Sequence, residues 1–526
     1  MRNIRILFIA ALFLSFVRLY AIMPPINGGE TRQLPSSKTD TPYITGEQPA
    51  RVANSGTGGL PTKGTVKIPV LVVSYSDQAI SSVPTIQSAF TSVTNYYSDM
   101  SGGKLIINFD IISGITLSAA HDTYGTNQTY KGQLLDTYAG TMVIESMLAA
   151  DSAIDFSQYD NNGDGSLDVV VVIHPGTGEE NGSSTDIWSH HWNIATATQI
   201  EYDWDAANGD ILLNQLTDPG YSDSDNDFRP EFDGVESDFY ILVPEYSGGG
   251  TSTTIGVYAH ELGHALGLPD LYDTSNLTDG VGDWSLMGHG AWLGITPGDT
   301  PAPLDPWSLD FLGWGNVVTV DFASFMPFFT GLSPLIVAAI VMLFFMLMVY
   351  WFFIHRKLSV FVIGFALIFI PVSCAVIPLA KALDLPDYLS SLTVVKVPLH
   401  DAQNMEYLYL ANYSKVNSTT WDDYLPGKGI LAIHTDNELI NQSYLSYNVV
   451  NNTYVNDGKM GVKVIEADEN SELMTAGGTR GEITDLFASP DYPDIIAIEL
   501  NEDWISPITV RNISSPDSTM SLEIYN

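Results

Sequence analysis

The stretch Val257–Asp270 reads VYAHELGHALGLPD and contains two histidines, a glutamate, a glycine and an aspartate at fixed spacings. Its pattern is helical, so His260 and His264, four positions apart, project from one face of the helix. Two imidazoles one turn apart suit a tetrahedral zinc ion, and Glu261 beside them is placed to exchange protons with water and a leaving amine. The alternative is a buried helix whose histidines contact only backbone or carboxylate groups.

The residues that follow the helix favour the metal site. Gly267 stands where a helix that reverses direction needs a left-handed residue, and the reversal would return Asp270 to the metal as an oxygen ligand. Further along, Met287 lies in the sequence SLMG (285–288), and a tight turn carrying a methionine forms the apolar floor beneath the zinc ligands of metzincin-type peptidases. The sequence therefore predicts a zinc ion held by the two histidines and this aspartate.

The composition limits the classes of partner. The 526 residues include 61 acidic and only 21 basic side chains, for a formal net charge of -40. Such a chain is not expected to bind nucleic acid or an anionic membrane surface. The one cysteine, Cys374, excludes an intrachain disulfide bond, so a secreted fold would need another stabiliser.

The N-terminus has the order of an export signal. Two arginines precede an apolar run, and the stretch RLYA (18–21) that follows ends in a small residue, which predicts a signal peptide over residues 1–21 with cleavage after Ala21. The alternative is an uncleaved anchor helix. Residues 22–63 are rich in Pro, Gly, Ser and Thr and are predicted to form a linker or a short pro-segment. The following peptidase region is expected to be extracellular or periplasmic.

Strand and helix patterns then alternate over residues 64–320, which predicts an α/β sheet layer and a catalytic domain of that extent. One helix is predicted with Ile86, Phe90, Val93 and Tyr97 on its apolar face, and another over residues 131–151. Residues 385–526 contain short alternating runs separated by turn residues, among them IIAIEL (495–500), and are predicted to be β-rich.

Two long apolar runs separate these parts. Residues 335–354 and 358–380 contain no charged side chain, and each run is long enough to cross a bilayer as a helix. They predict a transmembrane helical hairpin over residues 331–381, with the basic residues 355–357 in the cytoplasm. The alternative, a buried hairpin in a soluble core, is disfavoured because neither run has a polar face.

An Asn/Gly/Asp-rich loop predicts a second metal site, for calcium. It offers oxygen ligands at alternating positions, as in an EF-hand loop: Asp160, Asn162, Asp164, the backbone of Ser166, and Asp168. Position twelve is Val171 where an EF-hand has a glutamate, so a further ligand would have to come from elsewhere. The alternative is a simple turn before a strand.

Several stretches resemble, in the same order, the immune inhibitor A family of secreted metallopeptidases: VYAHELGHALGLPDLYD, GVGDWSLMGHGAW, PAPLDPWSLDFLGWGNV, YLPGKGILAIHTDN and GVKVIEADEN. That family carries the pattern HExxHxxGxxD. The resemblance implies a zincin-type, metzincin-like catalytic fold and endopeptidase activity on proteins or peptides. It also implies His260, His264 and Asp270 as zinc ligands and Glu261 as the catalytic base. The apolar hairpin departs from the family pattern.

Three functions are therefore considered. The first is a membrane-tethered, extracytoplasmic zinc endopeptidase. The second is an intramembrane metallopeptidase, which is disfavoured because the HExxH motif lies in polar surroundings ahead of the hairpin. The third is a non-catalytic adhesion or binding ectodomain that retains metal. Loss of Glu261 would favour this third function, but Glu261 is present.

Overall fold

The structure is a computed structural model that describes residues 21–22, 59–130, 133–208, 228–247, 253–320, 380–399, 406–415, 420–441, 450–475, 477–496, 498 and 506–526. The strands of the N-terminal half are β1 (Ala21–Ile22), β2 (Gly64–Ser74), β3 (Leu105–Thr116), β4 (Asn127–Tyr130), β5 (Gln133–Asp136), β6 (Ser166–Leu167), β7 (Val170–Thr177), β8 (His190–Asn193), β9 (Glu231–Phe232), β10 (Val235–Ser237) and β11 (Phe239–Tyr246). The helices are α1 (Val83–Met100), α2 (His121–Gly125), α3 (Ala139–Ala150), α4 (Ile194–Asn208), α5 (Ile255–Ala265), α6 (Pro306–Leu312) and α7 (Tyr388–Ser391).

A six-stranded sheet in the order β1-β8-β11-β7-β2-β3 organises this half of the chain. Strands β11, β7, β2 and β3 are parallel, whereas β8 runs antiparallel to β11 and pairs with β1 on its other side. Apolar side chains alternate along β2, so that Val70 and Val72 face one core and Leu71 and Val73 face another. A sheet buried on both faces, with helices covering each, is the predicted α/β layer.

Each face of the sheet is covered by its own helices. Helices α1 and α5 pack on the face that carries Val70, whereas α3 and the start of α4 pack on the opposite face. The four residues predicted for the apolar face of α1 are all buried: Ile86, Phe90, Val93 and Tyr97. Helix α5 is thereby fixed between the sheet and α1, and it is the helix that carries the HExxH motif.

The C-terminal part forms two further sheets, and it packs onto the first half of the chain. Their strands are β12 (Asn316–Thr319), β13 (Ala380–Pro386), β14 (Thr393–Pro398), β15 (Glu406–Tyr413), β16 (Gly429–Asp436), β17 (Val462–Val464), β18 (Thr509–Arg511) and β19 (Thr519–Tyr525). The hydroxyl of Tyr388 donates to the carbonyl of Leu304 at 2.6 Å, and residues of β14, β15 and β16 share one apolar core with α1 and α5. The chain is thus a mixed α/β fold with β-rich parts, as predicted.

Two local predictions were wrong. The helix predicted over 131–151 begins only at Ala139, because Gln133–Asp136 forms an antiparallel hairpin with β4. Ala380 and Lys381, placed at the end of the apolar hairpin, begin strand β13. In both cases strand pairing decided the conformation: Gln133–Asp136 pairs with the neighbouring strand β4, and Ala380–Pro386 pairs with the distant strand β19. The β-rich prediction for the IIAIEL run stays a prediction, since only Ile495, Ile496 and Ile498 of the run are described and Ile495 forms an isolated bridge with Val510.

The apolar runs fall mostly outside the described residues. Within the part of the chain that is described, no helix is both long enough and apolar enough to span a membrane. The predicted spans 335–354 and 358–380 lie in the undescribed segment 321–379, apart from Ala380. The predicted signal peptide 1–21 and segment 22–63 are likewise described only at residues 21–22 and 59–63.

Candidate metal centre

Helix α5 and the turn after it bring three predicted ligands together. His260 and His264 lie one turn apart on α5 and are both buried. The helix ends at Ala265, and Gly267 has a φ of 96°, the left-handed conformation predicted for the reversal. The reversed chain then places Asp270, which is 1 % exposed, beside both imidazoles.

The three ligand atoms form a nearly equilateral triangle. The Nε2 atoms of His260 and His264 are 3.1 Å apart, and they lie 3.2 and 3.3 Å from Oδ1 of Asp270. A tetrahedral ion with metal–ligand distances of about 2.0–2.1 Å separates its ligand atoms by roughly 3.3–3.4 Å. The triangle therefore has the size of one face of a tetrahedral zinc site.

The protonation of the two histidines also fits a cation. Nδ1 of His260 lies 3.0 Å from the carbonyl of Leu286, and Nδ1 of His264 lies 2.8 Å from the carbonyl of Leu268. Because a carbonyl only accepts, each Nδ1 carries a proton, so each ring directs its Nε2 toward the centre. Burial lowers the pKa of His260, which favours that neutral form. With Nδ1 protonated, a neutral ring offers the Nε2 lone pair to a metal ion, so this arrangement with the Asp270 oxygen could hold a cation.

The aspartate is held in its ionised form. Burial alone would raise the pKa of Asp270, but the neighbouring imidazoles of His264 and His260 outweigh burial and lower it. Sequence reasoning missed Tyr272, whose hydroxyl hydrogen-bonds to Asp270 and whose pKa burial raises well above its usual value. The sequence held one signal for this role: Tyr272 comes two residues after Asp270, in the segment that turns back toward the histidines. Tyr272 positions the carboxylate.

Glu261 lies in the same buried environment as the ligands. Its side chain is fully buried, and it follows His260 directly on α5. Burial is the main cause that raises the pKa of the Tyr97 and Tyr272 phenols, and the negative charge of Glu261 raises both further. A carboxylate in a site of this kind is suited to take up and release protons.

The methionine turn lies directly under the helix. Met287 is fully buried, and a Cβ at Gly263 would lie only 2.6 Å from its sulfur, so only glycine at that position allows this contact. The turn is anchored by Asp305, whose carboxylate accepts the Ser285 hydroxyl at 2.7 Å. The carbonyl of Leu286, within the turn, is the acceptor that orients His260. The turn predicted as the apolar floor therefore also orients the imidazole of His260.

Comparison with known proteins agrees with this geometry. Residues 73–315 match the immune inhibitor A peptidase M6 catalytic domain. This region is similar to the immune inhibitor A family of peptidases. Among curated proteins, the chain is 28 % identical over 263 residues to "Immune inhibitor A" of Bacillus thuringiensis subsp. alesti. It is 29 % identical over 244 residues to "Pre-pro-metalloprotease PrtV" of Vibrio cholerae serotype O1.

These alignments cover part of each protein. The first spans 45 % of this chain and 34 % of its relative, and the second spans 42 % of this chain and 24 % of its relative. The chain therefore matches about a third and about a quarter of the length of these family members. The matched part contains the metal centre, and the predicted resemblance to the immune inhibitor A family is confirmed.

The loop predicted to bind calcium also lies within the family match. Its carboxylates accept backbone N–H groups: Asp160 from Gly163 and Gly165, and Asp164 from Ser166. Short-range bonds of this kind are typical of Asx turns, so they favour the alternative interpretation of the loop as a turn before a strand. Among the described residues, Asp160, Asp164 and Asp168 do not come close enough together to form a metal-sized group. Calcium at this loop stays a prediction.

Strand β8 forms the sheet edge next to the metal centre. The ring of His191 in β8 lies 6.3 Å from that of His264. The backbone of Ala21 and Ile22 pairs antiparallel with His191 and His190, so β1 covers this edge. Cleavage after Ala21, as predicted for the signal peptide, would remove one of the two residues that form this pairing.

Proposed function

We propose that this chain is a zinc-dependent endopeptidase with a zincin-type, metzincin-like catalytic fold. The observation that carries the proposal is the triangle of His260, His264 and Asp270, whose size and protonation suit a tetrahedral zinc ion. The family match and the relative named as a metalloprotease support the same conclusion. The intact glutamate beside the first histidine adds the group that proton transfer needs.

Each residue would have a distinct role in peptide hydrolysis. Zinc bound there would supply Lewis-acid chemistry, which polarises a scissile carbonyl and makes water nucleophilic at neutral pH. Glu261 would accept the proton of the attacking water and deliver it to the leaving amine. Tyr272 and the carbonyl of Leu286 would hold Asp270 and His260 in the required orientation.

The sheet edge suggests how a substrate is held. An extended peptide adds to an exposed strand through backbone hydrogen bonds that are independent of its side chains. The segment Ala21–Ile22 makes this kind of antiparallel pairing with β8, beside the metal centre. Protein or peptide substrates would bind along β8 in the same way, with an internal bond placed near Glu261.

The test is hydrolysis of casein or gelatin by the purified chain, with metal analysis of the same sample. We expect one zinc per chain, loss of hydrolysis in a zinc chelator, and recovery when zinc is returned. The chelator should act without unfolding the protein, as judged by circular dichroism. A folded, zinc-loaded chain that cleaves neither protein would favour the alternative of a non-catalytic metal-binding ectodomain.

We also propose that the loop at 160–168 binds calcium. Asp168 supports this, because the residue is 2 % exposed and its Oδ1 has no hydrogen-bond partner. Burial raises the pKa of Asp168 to about 7, although Asn161 donates two hydrogen bonds to its other oxygen. A cation with the predicted ligands would satisfy the remaining oxygen.

The apolar segment leads us to propose that the peptidase is tethered to a membrane. The two runs without charge are 335–354 and 358–380. Before them, Val320 donates its N–H to the carbonyl of Lys396 in β14, and after them Leu385 is buried in the same apolar cluster as Val320. Because both ends enter one folded unit, the intervening segment must cross a membrane an even number of times or not at all.

Two crossings would place residues 355–357 in the cytoplasm and the folded unit outside it. The test is labelling of intact cells with an impermeant thiol reagent, using a Cys374→Ala background. Single cysteines at Ser324 and Ser390 should react, whereas one at His355 should react only after the cells are permeabilised. Reaction at His355 in intact cells would contradict the hairpin, and reaction at only one flank would contradict the even number of crossings.

A further inference from the structure

A second group of carboxylates lies outside the metal centre, in the loop that follows β17. Glu466, Asp468, Glu472 and Asp485 each bring one carboxylate oxygen within 4.8 Å of the others. Asp485 is 1 % exposed and the other three are half-buried. Four negative groups at this separation, partly removed from water, repel one another strongly.

Three oxygens of these carboxylates have no hydrogen-bond partner although they are buried: Oε2 of Glu466, Oε2 of Glu472 and Oδ1 of Asp485. Within the described part of the chain, no Lys, Arg or His forms an ion pair with any of the four residues. A buried carboxylate oxygen without a partner is costly, so three in one place call for a counter-charge.

The remaining oxygens are used to shape the cluster. Asp485 accepts the indole N–H of Trp284 at 3.0 Å and the backbone N–H of Glu482 at 2.8 Å through its other oxygen. Glu466 accepts the backbone N–H of Leu473 at 2.9 Å. These bonds fix one oxygen of Asp485 and one of Glu466 and leave the other oxygen of each without a hydrogen-bond partner. The two oxygens of Asp468 accept the backbone and side-chain N–H groups of Asn470, which lies in the same loop.

We propose that Glu466, Asp468, Glu472 and Asp485 bind a calcium ion. Calcium is the hard, large divalent cation that takes several carboxylate oxygens in flexible geometry, with water completing its coordination. Zinc would prefer nitrogen or sulfur donors, which none of the four residues supplies. The raised pKa values of Glu466, to about 6 by burial, and of Asp485 are consistent with carboxylates that lack their cation.

The position of the site gives the ion a structural role. The loop that carries the four carboxylates packs on the segment just before the methionine turn: the carbonyl of Leu473 accepts the N–H of Asp279 and that of Arg480 accepts the N–H of Asp283. The approach is so close that a Cβ at Gly282 would lie 2.2 Å from the carbonyl of Arg480. Calcium would hold this loop against the support of the metal centre.

Trp284 offers a direct probe of occupancy. Its indole N–H is bonded to Asp485, so an ion in the site would lie close to the ring. Terbium replaces calcium at oxygen sites and emits when a nearby tryptophan transfers energy to it. The experiment uses the full chain carrying Asp164→Ala, so that the loop at 160–168 cannot account for the signal, and the probes are terbium and calcium alone.

In this background we expect tryptophan-sensitised terbium emission that calcium displaces, and a melting temperature that rises with calcium. Asp485→Asn and Glu472→Gln should each weaken calcium binding by roughly tenfold or more, because affinity follows the number of charged ligands. Glu472 is half-buried, so its variant tests the site even where Asp485→Asn fails to fold. The matched control is Glu469→Gln, an exposed glutamate of the same loop, which should leave both readouts unchanged.

Absence of sensitised emission together with a melting temperature indifferent to calcium would overturn the proposal. So would an equal loss in Glu469→Gln, because diffuse attraction by acidic charge would then explain binding. Both outcomes are independent of zinc content and of casein hydrolysis. A chain that hydrolyses casein but fails these tests would refute only the calcium site.

Discussion

Glu261→Gln should retain one zinc per chain and lose roughly 10²–10⁴ in kcat/KM on a peptide substrate, the range typical of a lost general acid–base. Glutamine has nearly the same shape as glutamate and can still hydrogen-bond to water, but it cannot accept the proton. The three ligand atoms are untouched, so metal analysis of the variant should match the wild type. Initial rates on a fluorogenic peptide, normalised to bound zinc, measure the effect.

Glu245→Gln is the matched control. Glu245 is also fully buried, but its carboxylate accepts the backbone N–H groups of Ser81 and Ser82 at the start of α1. Its replacement should lower the melting temperature while leaving kcat/KM per folded molecule near that of the wild type. Normal hydrolysis by Glu261→Gln would exclude Glu261 as the base, whatever the control does.

The grouping of His260, His264 and Asp270 was predictable because its determinants are close in sequence. His260 and His264 are related by the helical repeat, and one left-handed glycine at Gly267 suffices to return Asp270 to them. All four positions lie within one helix and one turn, so no distant contact is needed to form the triangle. The same local logic correctly placed α1, whose apolar face repeats at helical spacing.

The features that sequence reasoning missed depend on contacts between distant segments. The carbonyl of Leu286 orients His260 only after the methionine turn folds beneath α5. The carboxylate group around Asp485 forms against Trp284, two hundred and one residues earlier in the chain. Spacing along the chain carries no information on such pairings.

His264→Ala should abolish zinc binding and reduce hydrolysis to the rate of a blank. The substitution removes one corner of the triangle and leaves one nitrogen and one oxygen ligand, too few to hold zinc through dialysis. In the wild type, zinc should raise the free energy of unfolding by about 4 kcal/mol when its free concentration is a thousand times Kd. The variant should lose that zinc-dependent rise, which calorimetry with and without added zinc measures.

The control for this variant is His434→Ala. His434 is another buried histidine beside a carboxylate, with its Nε2 2.7 Å from Oε2 of Glu406 in the C-terminal sheet. Its loss should destabilise the protein, because Glu406 is left in a buried position without this partner, yet the zinc-dependent rise in stability should persist. The comparison separates the loss of a ligand from the loss of a buried polar pair. A His264→Ala chain that keeps one zinc and the same zinc-dependent stability would refute the three-ligand site.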